Sequence, residues 1–495
     1  MAAPVALFVA VLEPHRRTAP DARQPRRAAW LLGNAHGAHK RAQRSGIPAR
    51  PRRSRYTRRV SVAELRTDAL AAFEAAVAAV QPARLMPAAV TVHSDRLTIA
   101  GTDVPRPAGR LVVVALGKAG PTLADAWLET AGDLAHLLFV LTPHGVPVTD
   151  RVARRAMVRH GAHPYPDAAG EASARELVRL ARGLEADDLL LVLLSGGTSA
   201  LLAAPEPGLT LDDVLRTTRA LLRAGASIGD VNTVRRQLLL LGGGGLARLA
   251  APARVEVLVV SDVLGDPLPD IASGPTVPSP TSKADGAAVV RRFGVEAEIP
   301  DAVIAFFTRP GGDHTDDTAW MDRVRTVVLA NNRTAVEAAA LELESRGYRV
   351  RVDEDHLTGE ASQQGRSIGR MAAGGLGDGS QAWLTGGETT VTVRGEGWGG
   401  RNQELALAAA IEIEHAAGPC VVLAAGTDGI DGMSGNAGGL VDPTTVRRLR
   451  EADLDPVESL TNNDSGTALA AVGDAIVTGP TGTNVCDLTA VLTAE

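Results

Sequence analysis

Leu189-Leu190-Leu191-Val192-Leu193-Leu194-Ser195-Gly196-Gly197-Thr198-Ser199-Ala200-Leu201-Leu202 is the stretch from which the rest of the chain can be read. Its first six residues are apolar without a break, which suits a strand buried on both faces. Two glycines and three hydroxyl residues follow, and apolar residues then resume at helical spacing. A strand, a glycine turn and a helix start aim unpaired backbone N–H groups at one point, and the helix dipole adds positive potential there. Together they make an anion site. Alone, the Ser195–Ser199 turn is equally well a tight strand-to-helix connection. What favours the anion site is repetition.

The same pattern recurs along the chain. Leu111–Leu116 runs into Gly117-Lys118-Ala119-Gly120, and Val255–Val260 into Ser261-Asp262-Val263-Leu264-Gly265-Asp266. Ala382–Thr385 runs into Gly386-Gly387-Glu388, and Cys420–Ala425 into Gly426-Thr427-Asp428-Gly429-Ile430-Asp431-Gly432. Most of these strands are continuous apolar runs alternating with helices, the signature of parallel sheets covered on both faces. The expected fold class is α/β, with two domains of mainly parallel, helix-covered sheets and a cleft between them. A capped helix opens at Ser61, and a segment rich in Pro, Gly, Thr and Asp at 275–322 reads as an interdomain connection. The expected domains are therefore 61–322 and 323–495, with Arg325–Ala330 starting the second set of elements. The alternating segment Thr389–Val393 predicts an antiparallel edge there. In open α/β sheets ligands sit at the carboxyl ends of strands, so the glycine turns should face one cleft.

Composition narrows the function. At 495 residues, 45% hydrophobic and 3% aromatic, the chain can build two or three domains with Leu/Val/Ala cores. Its two cysteines, Cys420 and Cys486, match neither a disulfide framework nor a metal spacing, which predicts a reducing, cytoplasmic setting. No apolar run reaches the ~18 residues needed to span a membrane. Residues 1–60 hold 14 Lys/Arg against 2 Asp/Glu, leaving 37 against 55 for the remainder. A body this acidic is a poor nucleic-acid binder. The basic leader fits a signal peptide badly and a transit peptide better. The reading preferred here is that translation properly begins near Val60, so a chain starting there should fold and work as well as the full one.

Several motifs, taken together, resemble the glycerate 2-kinase family, some of whose members have been called hydroxypyruvate reductases. The matches are LGKAG at 116–120, HPYPD at 163–167, LLSGGTSALL at 193–202, VRRQL at 234–238 and SDVLGDPLPDIASGPTV at 261–277. They continue with TGGETTVTVRG at 385–395, GGRNQELAL at 399–407, AGTDGIDG at 425–432, NNDS at 462–465 and TGPTGTNVCDL at 478–488. The resemblance implies an N-terminal kinase domain, a C-terminal MOFRL domain, and phosphoryl transfer from ATP to D-glycerate with Mg²⁺ or another divalent cation. It also admits a homodimer. The chain departs from the family pattern at Thr198, Gln237, Leu239, Gly242 and the Pro143-His144 pair, which bears on substrate preference.

Phosphoryl transfer needs cations around the moving group, backbone donors for the other phosphates, and a group to orient the attacking hydroxyl. Lys118 ends a strand at a glycine turn and is one of two lysines beyond residue 41, in a body that otherwise uses Arg. It could equally be an exposed loop lysine. Arg401 opens a helix, where its charge opposes the dipole, so a functional reason is expected. Asp428 completes the catalytic set. The turn Ser195, Gly196, Gly197, Thr198 and Ser199, with Gly386 and Gly387, is expected to bind phosphate. Asp262, Asp266 and Glu388 are candidate metal ligands, and Arg401, Asn402 and Asp431 candidate substrate contacts. For the acidic residues the alternative is ordinary turn formation or helix capping. Two other functions compete. A nicotinamide-dependent hydroxypyruvate reductase would want G-x-G-x-x-G between strand and helix, and Gly242–Gly245 follows a leucine-rich helical stretch instead. A non-catalytic metabolite-binding protein would keep the turns and lose one of Lys118, Arg401 or Asp428.

Overall fold

The computed structural model describes residues 60–310 and 319–494. The readings of the leader lie outside these residues. Ser61 caps the first helix, Val62–Ala79, in a reciprocal box with Glu64, as the sequence predicts.

A small antiparallel sheet of Val90–Val92 (β1), Arg96–Ile99 (β2) and Thr102–Pro105 (β3) precedes the first large sheet. That large sheet contains Leu111–Leu116 (β4), Leu137–Pro143 (β5), Met157–Gly161 (β6), Leu189–Leu194 (β7), Arg254–Val260 (β8) and Val324–Ala330 (β9). Its order is β6-β5-β4-β7-β8-β9, and every pairing is parallel. All residues of β4 and β7 are buried, because helices cover both faces. Strand order reverses between β4 and β7, so connections leave their carboxyl ends in opposite directions and open a crevice there. The Lys118 and Ser195 turns are the two sides of that crevice.

The second large sheet contains Arg349–Val352 (β10), Gln381–Gly387 (β11), Cys420–Gly426 (β12), Gly438–Val441 (β13), Ala475–Ile476 (β14) and Asp487–Thr493 (β15). Its order is β10-β11-β15-β12-β13-β14. Here the expectation of mainly parallel pairing is corrected: only β10–β11 is parallel. β15 enters antiparallel between β11 and β12, filling the centre of the sheet. The antiparallel character therefore comes from β13, β14 and β15, whereas Thr389–Val393 contributes a single bridge, Thr390 to Glu360.

The boundary at 323 is also corrected. β9 pairs with β8 as the sixth strand of the first sheet, so the crossover to the second sheet follows Ala330. In the other direction, helix Val62–Ala79 serves the second half. Arg66 donates to Asp442 at 2.7 Å and to Asp474 at 2.8 Å, while Asp68 receives Arg346 and the Tyr348 hydroxyl, each at 2.7 Å. One apolar cluster runs from Leu111 and Val113 to Val421, Leu423 and Leu488, joining the sheets through a common core. Among the described residues, no single helix is long and apolar enough to cross a membrane.

Candidate active site

At the crevice the two turns are clamped to each other. The Ser195 hydroxyl donates to Leu116 O at 2.8 Å and accepts from Ala119 N at 3.1 Å; Lys118 N donates to Gly196 O at 2.8 Å. The approach is close enough to require glycine. A Cβ on Gly117, whose φ is +100°, would fall 2.5 Å from both Ser195 O and Gly196 O. Thr198, in place of the family's third glycine, is buried and donates its hydroxyl to Ser195 O at 2.7 Å. The hydroxyls of Ser195 and Thr198 thus hold the turn together and are engaged within the chain. The helix after the turn is only the four residues Thr198–Leu201. Among the described residues no acceptor engages the N–H groups of Gly196, Gly197, Thr198 or Ser199.

Lys118 projects from this turn across to the second half. Its Nζ lies 3.6 Å from Asp428 Oδ2, in the turn that follows β12. Asp428 Oδ1 accepts from Ile430 N at 3.1 Å, which fixes the carboxylate in a local turn. Lys118 and Asp428, predicted separately, are therefore brought together.

Asp262 stands behind the Ser195 turn. A Cβ on Gly196 would fall 1.6 Å from its Oδ2. That oxygen accepts from Asn484 Nδ2 at 3.0 Å, and the Cys486 thiol donates to the Asp262 carbonyl at 2.9 Å. Loss of water pushes the Asp262 carboxyl up to about 6; Lys118 opposes this, and Glu388 and Asp428 add to it. Glu388 is also held above the usual carboxylate range, first by desolvation, with Arg401 pulling the other way. Asp262, Glu388 and Asp428 form the acidic side of the site.

The expected metal trio does not converge. Asp266 has left-handed backbone, φ +52°, and its Oδ2 accepts from Asn331 Nδ2 at 2.5 Å. Among the described residues no group of three or more His, Cys, Asp or Glu is arranged to hold an ion. The expected phosphate role of Gly386 and Gly387 is corrected as well. They are the last two residues of β11, paired with Leu488 and Asp487. A Cβ on them would fall 1.5 Å from Asn332 Oδ1 and 2.1 Å from Leu357 O, so these glycines exist for packing.

Arg401 uses its planar fork, but on a partner within the chain. Its Nε and Nη2 bind the Asp487 carboxylate at 2.5 and 2.8 Å, and Nη1 lies 3.3 Å from Glu388 Oε1. Asp431 and Asn402, expected to touch substrate, are buried in a helix cap. Asp431 accepts from Asn402 N at 3.0 Å and Gln403 N at 2.8 Å, capping helix Arg401–Ile413 where Gly400 has no side chain. Burial nevertheless pushes the Asp431 carboxyl up to about 6.

Sequence reasoning assigned no role to two neighbours of the turn. His163, from the HPYPD motif, comes within 3.3 Å of the Cβ position of Gly197. Its imidazole is held toward the neutral form by crowding, Lys118 and Arg235. Arg235, from VRRQL, donates Nη2 to Ser199 O at 3.1 Å. The departures Gln237, Leu239 and Gly242 lie behind it. Gln237 is buried and donates to Thr281 O at 2.7 Å, Leu239 is core, and Gly242 packs on the Arg236 backbone.

Comparison with known proteins agrees with this architecture. Residues 68–308 match the family described as "Domain of unknown function (DUF4147)", and residues 381–487 match the MOFRL family. A protein of Agrobacterium vitis provisionally named hydroxypyruvate reductase is 38% identical over 420 residues, 83% of this chain and 93% of its own. A glycerate 2-kinase of Pyrococcus horikoshii is 35% identical over 422 residues, again 83% and 93%. The crystal structure of glycerate kinase from Thermotoga maritima superposes with a TM-score of 0.76 at 34% identity, covering 87% of this chain and 100% of that one. The chain belongs to the glycerate kinase family.

Proposed function

We propose that the protein is a glycerate 2-kinase, moving the γ-phosphoryl group of ATP to the 2-hydroxyl of D-glycerate. The observation that carries this reading is the Lys118–Asp428 pair, 3.6 Å apart, spanning the two halves beside the unengaged N–H groups of the Ser195 turn. Those N–H groups suit phosphate oxygens. Lys118 suits the charge that builds on the transferring group, and Asp428 suits the attacking hydroxyl. The new bond joins the 2-oxygen to the γ-phosphorus, the bond to the ADP oxygen breaks, and the hydroxyl proton passes to Asp428. A divalent cation fits the acidic side: Asp262 and Glu388 would hold it with nucleotide oxygens, and it would neutralise phosphate charge. Two carboxylates suffice for such a cation when phosphates complete its shell. The buried free cysteines Cys420 and Cys486 fit a cytoplasmic setting.

The reductase reading is disfavoured by the same crevice. A dinucleotide fingerprint belongs at the turn after the first strand of such a sheet. There the chain reads Gly117-Lys118-Ala119-Gly120, with a lysine and no G-x-G-x-x-G. The Gly242–Gly245 run follows helix Ile228–Leu238 and leads into helix Gly245–Ala250, so it leaves no strand.

Regiochemistry is tested by coupling formation of the phosphorylated product to enolase. Purified protein with ATP, Mg²⁺ and D-glycerate should give signal without added phosphoglycerate mutase. Signal only with mutase would identify 3-phosphoglycerate, and no phosphorylated product would defeat the kinase reading. A second test uses Gly196→Ala. Its Cβ would displace the end of the Asp262 side chain, so the fold should persist. Turnover should fall on the order of 10²-fold, as for a comparable misplacement of a site group. Wild-type turnover would remove Asp262 from the site.

A further inference from the structure

Helix Ile228–Leu238, capped by Ser227, carries two adjacent arginines with opposite fates. Arg236 is buried and paired with Asp270. Arg235 forms no ion pair with any carboxylate among the described residues; its one hydrogen bond is from Nη2 to Ser199 O, at 3.1 Å. A guanidinium offers five N–H donors in a rigid fork, so four are left for something else. Arg235 is half-buried beside the turn; partial desolvation weakens its hold on the proton, and no carboxylate among the described residues opposes this. A half-buried guanidinium with no ion-pair partner is well placed to meet an arriving anion through its fork.

The surroundings say which anion. Arg235 borders the Ser199 end of the turn, and Lys118 borders the Gly197 end, its Cγ 3.2 Å from the Gly197 Cβ position. His163 feels both cations. The acidic residues Asp262, Glu388 and Asp428 cluster around Lys118 instead. The turn therefore separates two positive points: one backed by carboxylates, the proposed place of phosphoryl transfer, and one with no countercharge among the described residues. We propose that Arg235 is the anchor for the carboxylate of the acceptor, binding it side-on through its fork. This rests on the kinase reading and sharpens it. A clamped carboxylate fixes the adjacent carbon, and with it the 2-hydroxyl, whereas the 3-hydroxyl swings on a further bond. Arg235 would then set both the requirement for an acid and the choice of oxygen.

The test compares wild type with Arg235→Gln and Arg235→Lys. Loss of a bidentate, charge-assisted contact should raise KM for D-glycerate on the order of 10²-fold. KM for Mg–ATP should stay within about threefold. Arg235→Lys should recover only part of the loss, because an ammonium cannot bind a carboxylate as a fork. Calorimetric titration with D-glycerate alone should show the same weakening. An increase confined to KM for Mg–ATP would assign Arg235 to nucleotide phosphate and overturn the proposal, as would unchanged constants for both substrates. If wild type forms no phosphoglycerate, the kinase reading fails by itself. Glycerate titration then still decides: binding lost in both variants supports the anchor, and equal binding overturns it. Should Arg235→Gln fail to fold, Arg235→Lys, which keeps the charge, carries the comparison.

Discussion

Lys118→Ala is expected to fold normally, bind ATP within about tenfold of wild type, and turn over at least about a hundred times more slowly. The backbone at this position is fixed independently of the side chain: β4 is buried throughout, and Lys118 N is held by Gly196 O at 2.8 Å. Removing the side chain therefore removes one ammonium and little else. A cation that meets charge developing in the transition state acts on kcat more than on ground-state binding. Loss of one preorganised contact of this kind costs about 3–4 kcal/mol, or about 10²–10³ in rate. Lys118→Arg should rescue little, since a wider planar group cannot occupy the same point 3.6 Å from Asp428. Steady-state kinetics with a thermal-unfolding control decide the matter. Retention of more than about a third of wild-type kcat would make Lys118 an ordinary loop lysine.

Arg401 should behave differently, because its fork is committed to Asp487. Arg401→Ala leaves a carboxylate with 6% side-chain exposure uncompensated. Breaking such a pair typically costs about 3–5 kcal/mol, so thermal unfolding should drop by several degrees, unlike that of Lys118→Ala. Glu388 would lose its main opposing charge and move further toward the protonated form, so turnover should fall too. Arg401→Lys keeps the charge but breaks the two parallel bonds, and should sit between the two. A variant as stable as wild type with only KM for glycerate raised would restore Arg401 as a substrate ligand.

These contrasts show where the sequence is readable. β4 and β7 were legible because burial on both faces demands continuous apolar runs, and the clamped turns because close backbone approach demands glycine. Lys118 and Asp428 stood out for the same local reason: each follows a buried strand at a glycine. What was not legible depends on distant residues. Asp487 meets Arg401 from 86 positions away, and Asp431 caps its helix from 28 and 29 positions away. Nothing in Asp-Leu-Thr-Ala-Val-Leu-Thr at 487–493 announces a central strand, because Asp487, Thr489 and Thr493 interrupt its apolar run. Arg235 is the extreme case: its significance is that no carboxylate among the described residues pairs with it, and no local pattern records that.

The interlaced chain path has a consequence for recombination. Helix Val62–Ala79 precedes the first sheet yet answers to the second, through Arg66 with Asp442 and Asp474. β9 continues the first sheet after the long connection. A chimaera that imported residues 331–494 from a relative would confront its own Arg66 and Asp68 with foreign counterparts. It would need the opening helix from the same donor. The natural unit of exchange in this protein is discontinuous, and a transplant cut at a single junction should arrive with an unpaired charge buried at its seam.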